Sequence, residues 1–198
     1  EMKQASIFKY DAANKTFNEF AKGPNIPNYA VIDKKRNCLY VSDSFAFGEK
    51  GIGVYKFDLQ TGKGGPCTEE LFNFANGMCL SPDGNYLYVI ESFHPCVSRL
   101  KVNDDGSLGK KEVFTEEIST VPDGLAFDKN ENLFISCYEP SRIYMSDKSG
   151  NCQILIEDPH CTTLAHPTNI AISQDGKTMF TANLGRWHIT KIDISSLY

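Results

Sequence analysis

Asn76-Gly77-Met78-Cys79-Leu80-Ser81-Pro82-Asp83-Gly84-Asn85-Tyr86-Leu87-Tyr88-Val89-Ile90-Glu91 places an apolar run, a tight turn and a second apolar run in immediate succession. Pro82 presets the backbone for the turn and Gly84 accepts the positive φ that closes it. The run after the turn is rich in aromatic and β-branched residues, which suit a pleated surface. Two short runs flanking such a turn form an antiparallel hairpin. A polar residue, Asn76, stands at its head.

Working outward, three more stretches repeat that pattern. They run from Pro27-Asn28 to Cys38–Asp43, from Pro122-Asp123 to Asn132–Cys137, and from Pro167-Thr168-Asn169 to Thr178–Ala182. Their polar heads, Asn28, Asn76, Asp123 and Asn169, are 48, 47 and 46 residues apart. Two further strand candidates follow each hairpin, such as Gly53–Asp58 then Leu71-Phe72, and later Arg142–Met145 then Gln153–Ile156. No segment sustains a 3.6-residue apolar period, so almost no helix is expected. Four strands in about 40–50 residues is the arithmetic of a propeller blade. The competing architecture, a plain β-sandwich, gives no reason for constant spacing. The expected fold is all-β, a β-propeller of four-stranded antiparallel blades. A single tryptophan, Trp187, excludes a Trp-Asp repeat series.

Composition narrows the partners. The chain has 198 residues, 41% of them apolar, and 25 acids against 20 bases give a net charge of −5. A mildly acidic chain without basic runs argues against nucleic acid or anionic membrane as a partner. No apolar stretch approaches the roughly 20 residues a spanning helix needs. Seven cysteines without a Cys-x-x-Cys pair exclude a zinc ribbon and favour a reducing, cytoplasmic compartment. His94 and His188 lie two residues from Ser92 and Thr190, and His160 could be paired with Ser141, but no Gly-x-Ser-x-Gly elbow accompanies them. Arg186-Trp187-His188 is expected to pack between sheets.

Asn76-Gly77-Met78-Cys79-Leu80-Ser81-Pro82-Asp83-Gly84, Val121-Pro122-Asp123-Gly124-Leu125-Ala126-Phe127-Asp128 and His166-Pro167-Thr168-Asn169-Ile170-Ala171 together resemble the SMP-30/gluconolactonase/LRE family. The resemblance runs over essentially the whole chain. It implies a six-bladed propeller with a divalent cation, most often Ca²⁺ (Zn²⁺, Mn²⁺ or Mg²⁺ in some members), in the central channel, and hydrolysis of a lactone. By motif match, Asn76 and Asp123 take the places of metal ligands, and Asp123 also that of the catalytic acid/base. Asn28 matches a metal or substrate residue, and Asn169 with His166 matches substrate-facing positions of the last blade. The family's early Glu, in a Glu-Gly-Pro setting, has no match in these residues; Glu91 and Glu139 are the candidate replacements.

The bottom-up chemistry agrees with that assignment. Hard dications take oxygen ligands from carboxylates and amide carbonyls, and residues heading successive innermost strands converge on one channel. Repeats are expected over 23–72, 73–118, 119–163 and 164–198, with 1–22 as the end of a preceding blade. That is seventeen strands, a little over four blades of an N-terminally incomplete ring. An unclosed sheet edge is then expected to drive self-association. The alternative functions are a non-catalytic NHL-like binding propeller and a strictosidine-synthase-like propeller.

Overall fold

The computed structural model describes residues 5–118 and 120–197. Strands β1 (Ser6–Asp11) and β2 (Thr16–Lys22) form a two-stranded sheet. The first full blade joins β3 (Pro27–Asp33), β4 (Cys38–Asp43), β6 (Val54–Asp58) and β7 (Gly64–Pro66), and β5 (Lys50–Ile52) pairs separately with β8 (Leu71–Asn73). The second blade holds β9 (Ala75–Leu80), β10 (Tyr86–Glu91), β11 (Cys96–Val102) and β12 (Leu108–Thr115). The third holds β13 (Pro122–Phe127), β14 (Leu133–Cys137), β15 (Arg142–Ser146) and β16 (Cys152–Glu157). The fourth has β17 (Pro167–Ile172), β18 (Thr178–Asn183) and β19 (Ile189–Asp193), and a 3₁₀ turn follows at Ser195–Leu197. The blades are antiparallel throughout, and they form a β-propeller.

The described residues contain nineteen strands rather than seventeen. In the first blade the outer strand is Gly64–Pro66, not the stretch at Leu71-Phe72. Glycine makes both outcomes possible. A Cβ on Gly64 would collide with the Lys56 carbonyl, so only a bare backbone fits against β6 there. A Cβ on Gly53 would meet the Phe72 ring, so Gly53 admits the buried Phe72 beside the break between β5 and β6.

The core is a series of inter-blade layers. Tyr40, Met78, Leu87, Val89 and Leu100 fill the space between the first two blades. Tyr88, Ile90, Leu125, Leu133 and Ile135 fill the next, and Phe134, Ile143, Ile170 and Met179 the one after. Strands β4, β10 and β14 are therefore apolar on both faces, which explains their continuous apolar runs. Arg36 fastens two blades. It pairs with Asp33 at 2.7 Å, and its other donors reach the carbonyls of Gly84 at 3.0 Å and Asn103 at 2.8 Å.

Candidate active site at the head of the innermost strands

Every innermost strand carries a bulge at its head. Pro27, Ala75, Pro122 and Pro167 pair with Asp43, Glu91, Cys137 and Asn183, and the register then slips by at least one residue. Bulges re-aim side chains next to functional sites. The residues after those four are Asn28, Asn76, Asp123 and Thr168. The register thus corrects the repeat alignment in the fourth blade, where Thr168 heads the strand and Asn169 sits one place further on, level with Gly124, Gly77 and Tyr29.

Serine hydroxyls orient two of these heads. The Asn28 amide donates to Ser44 Oγ at 3.0 Å, and Ser44 donates to the Ala75 carbonyl at 2.9 Å. One blade on, the Asn76 amide donates to Ser92 Oγ at 3.1 Å, and Ser92 donates to the Pro122 carbonyl at 2.7 Å. Each relay ends on the residue just before the next head. The innermost strands also touch directly: a Cβ on Gly124 would lie 2.6 Å from the Thr168 carbonyl oxygen. A Cβ on Gly77 would fall on the Asp123 carbonyl. Asn76-Gly77 and Asp123-Gly124 therefore combine a polar head with a residue small enough to let the next strand in.

Asn76 is buried, and its side-chain oxygen has no hydrogen-bond partner. Burial pushes the Asp123 carboxyl up to about 6, and the neighbouring Asn76 side chain only partly offsets that rise. A carboxylate disfavoured by desolvation beside an unpartnered amide oxygen is a donor set that suits a hard dication. Asn28 is exposed at the head of β3. Among the described residues, no three His, Cys, Asp or Glu side chains form a cluster suited to a metal ion.

The other expected residues lie around this pair. The Asn169 oxygen accepts from Tyr29 Oη at 3.2 Å and from the Ile170 N–H at 2.8 Å, which joins the first blade to the fourth. His166 precedes β17, half-buried, with its Nδ1 on the Tyr138 carbonyl and the Glu139 carboxylate. Glu91 is committed elsewhere: it binds Lys111 at 2.8 Å and accepts from Ser98 Oγ and the Asn73 N–H. Trp187 does not pack between sheets; it is fully exposed, while Arg186 Nε donates to the Cys161 carbonyl. The sequence does not single out Tyr29 or Ser44, and it marks Ser92 only as a neighbour of His94. The recurring serine just past the second strand was the available signal.

The family profile described as the SMP-30/Gluconolactonase/LRE-like region matches residues 53–182. The chain belongs to that family. A gluconolactonase of Zymomonas mobilis is 31% identical over 115 residues, which cover 53% of this chain and 31% of that protein. The solved structure of a gluconolactonase from Xanthomonas campestris superposes with a TM-score of 0.72 at 18% identity, covering 90% of this chain and 62% of that one. Regucalcin from Agrobacterium tumefaciens, described as a calcium-binding protein, gives 0.71 at 20% identity, covering 91% and 63%. The chain spans less than two thirds of each of these relatives. In this SMP-30/gluconolactonase-like chain, Asn76 and Asp123 head successive innermost strands.

Proposed function

We propose that the chain forms part of a lactone-hydrolysing site built on a divalent cation, with Asn76 and Asp123 as the ligands it contributes. The observation that carries this reading is the buried, unpartnered Asn76 oxygen beside the Asp123 carboxylate. A bound dication supplies there a polarised ester carbonyl and a more acidic water. The protein's own part is to place and hold. In this reading Asp123 also takes the proton from the attacking water. The Ser92 relay fixes the Asn76 amide so that its oxygen faces the same space. Asn28, exposed at the rim, and Asn169 with His166 are the substrate-facing groups of this reading. The substrate is a small-molecule lactone, and the ion is calcium on the strength of the regucalcin likeness. Seven free cysteines support a reducing, cytoplasmic setting, and an acidic chain supports a role without nucleic acid or membrane.

The test is thermal unfolding of the chain with CaCl₂, MgCl₂, MnCl₂ or ZnCl₂, beside hydrolysis of glucono-1,5-lactone. At one hundred times its dissociation constant an ion adds about 2.7 kcal/mol of stability. That gain is expected to vanish in Asp123→Ala and to weaken sharply in Asn76→Ala. Unchanged melting with all four ions would end the metal reading.

A further inference from the structure

Loop 158–166 crosses from the outer strand of the third blade to the inner strand of the fourth, and it is tightly held. The Asp158 carboxylate accepts N–H bonds from Thr162, Thr163 and Leu164 at 2.7–3.0 Å. The Cys161 N–H donates to the Asp158 carbonyl, and Arg186 Nε donates to the Cys161 carbonyl, both at 3.1 Å. Cys161 and His166 have φ values of +52° and +54°, a region side chains seldom adopt and one that collects at functional sites.

The side chains form an ordered series. His166 Nδ1 lies 2.9 Å from the Tyr138 carbonyl and 3.0 Å from Glu139 Oε2. Both partners are acceptors, so Nδ1 carries the proton and the lone pair of the neutral ring is on Nε2. That Nε2 is 4.0 Å from Cys161 Sγ. Ser141 Oγ, buried, accepts the His166 backbone N–H at 2.9 Å and lies 3.2 Å from the same sulfur, in a contact where either atom can donate. The imidazole is thus placed to take the thiol proton, the serine hydroxyl to stabilise the resulting thiolate, and Glu139 to orient and balance the imidazolium. A nucleophile, a base and an orienting group in this order are the parts of an activated thiol. The other charged or titratable groups on or against this loop are Asp158, already satisfied by N–H donors, His160, Arg186, and His188, whose Nε2 is 2.9 Å from the Thr163 carbonyl.

We propose that Cys161 is a nucleophilic thiol, paired with His166 and oriented by Glu139, that is modified by α,β-unsaturated carbonyl compounds. Such electrophiles suit a soft thiolate with one proton donor beside it, because they need no leaving group. The Sγ–Cβ bond forms, the alkene electron pair moves to the α-carbon, and the His166 Nε2 proton passes to that carbon, giving a thioether. This centre does not use Asn76 or Asp123 and needs no metal; it shares only His166 with the substrate-facing groups of the lactonase reading.

The test is brief labelling of the folded chain with N-ethylmaleimide between pH 6 and 8, with each cysteine resolved by peptide mass spectrometry. At pH 7 Cys161 is expected to react at least about tenfold faster than each of the other six. Its rate is expected to fall by less than tenfold from pH 8 to pH 6, whereas an ordinary thiol with a pKa of about 8.5 loses about tenfold per unit. His166→Asn is expected to slow Cys161 at pH 6.5 by tenfold or more. Glu139→Gln, at an exposed carboxylate, is expected to steepen the pH dependence while circular dichroism stays unchanged. The proposal is overturned if the wild-type rate falls tenfold per unit, or if folded His166→Asn reacts as fast as wild type.

Discussion

Tyr40, Tyr88, Phe134 and Phe180 occupy one register position in four successive blades, opposite Val31, Cys79, Ala126 and Ala171. The first three are at most 7% exposed, and the fourth is 38% exposed. Local sequence is the same in kind at all four places; the setting differs. Each of the first three rings enters the layer shared with the following blade, and among the described residues β19 pairs only with β18. The strand pattern shows the same contrast, since β14 is buried throughout while β18 alternates. In a propeller, a blade's stability is largely a property of the interface with its neighbour.

Truncating equivalent rings is the most direct attempt to break that comparison. Phe134→Ala is expected to cost about 3–5 kcal/mol in urea unfolding, and Phe180→Ala less than about 1 kcal/mol. Equal losses would mean that the fourth blade is covered in solution. Arg36→Ala removes one partner of a buried ion pair whose side chains are each 4% exposed, and is expected to cost about 3 kcal/mol by the same measurement. Gly124→Ala tests the contact between the third and fourth innermost strands. Its methyl would meet the Thr168 carbonyl, and a loss of about 2 kcal/mol is expected.

The β18–β19 turn gives a subtler readout. Leu184 and Trp187 in that turn and Ile189 at the start of β19 are exposed, and we propose self-association through this surface. Trp187→Ser is expected to change stability by less than about 0.5 kcal/mol while shifting size-exclusion elution toward monomer. A wild-type chain that elutes as a monomer at all concentrations would contradict it.

The smallest expected effect lies at Asp158, where the N–H groups of Thr163 and Leu164 hold the carboxyl down to about 2 against its ordinary 3.8. The folded value is the lower one, so the contribution is complete above about pH 4 and is lost as pH falls through about 2. Asp158→Asn is therefore expected to lower the melting temperature slightly at pH 6 and by less as pH falls toward 2.

The repeat and its hairpins were legible because turn chemistry and paired apolar runs are local properties. The heads of the first three blades were legible for the same reason. The fourth was misaligned by one residue because Asn169 mimics the Asn of Asn76-Gly77, whereas only pairing shows that the bulge falls on Thr168. The β5–β8 pair was hidden because each strand has three residues and Gly51 breaks the apolar pattern. Cys161, His166 and Glu139 could not be grouped from sequence, since their meeting depends on two left-handed residues and a loop crossing between blades. Trp187 was misjudged because aromatic identity predicts burial only where a neighbouring sheet stands over it.

The two serine relays have one more consequence. Each head amide is referenced through a hydroxyl to the main chain of the following blade, so the positions of the channel oxygens behave as a stack of toleranced parts. A small tilt of one blade is passed to the next head instead of being absorbed locally. The stack ends at Asp123, where Tyr138 stands in the place of the serine. The carboxylate at the centre of the site takes its position from the blade before it, through Pro122 and Asn76, and from the Gly124 contact with Thr168. Alignment of this site is therefore set at the joints between blades, and substitutions far from the channel but within those joints will misalign it.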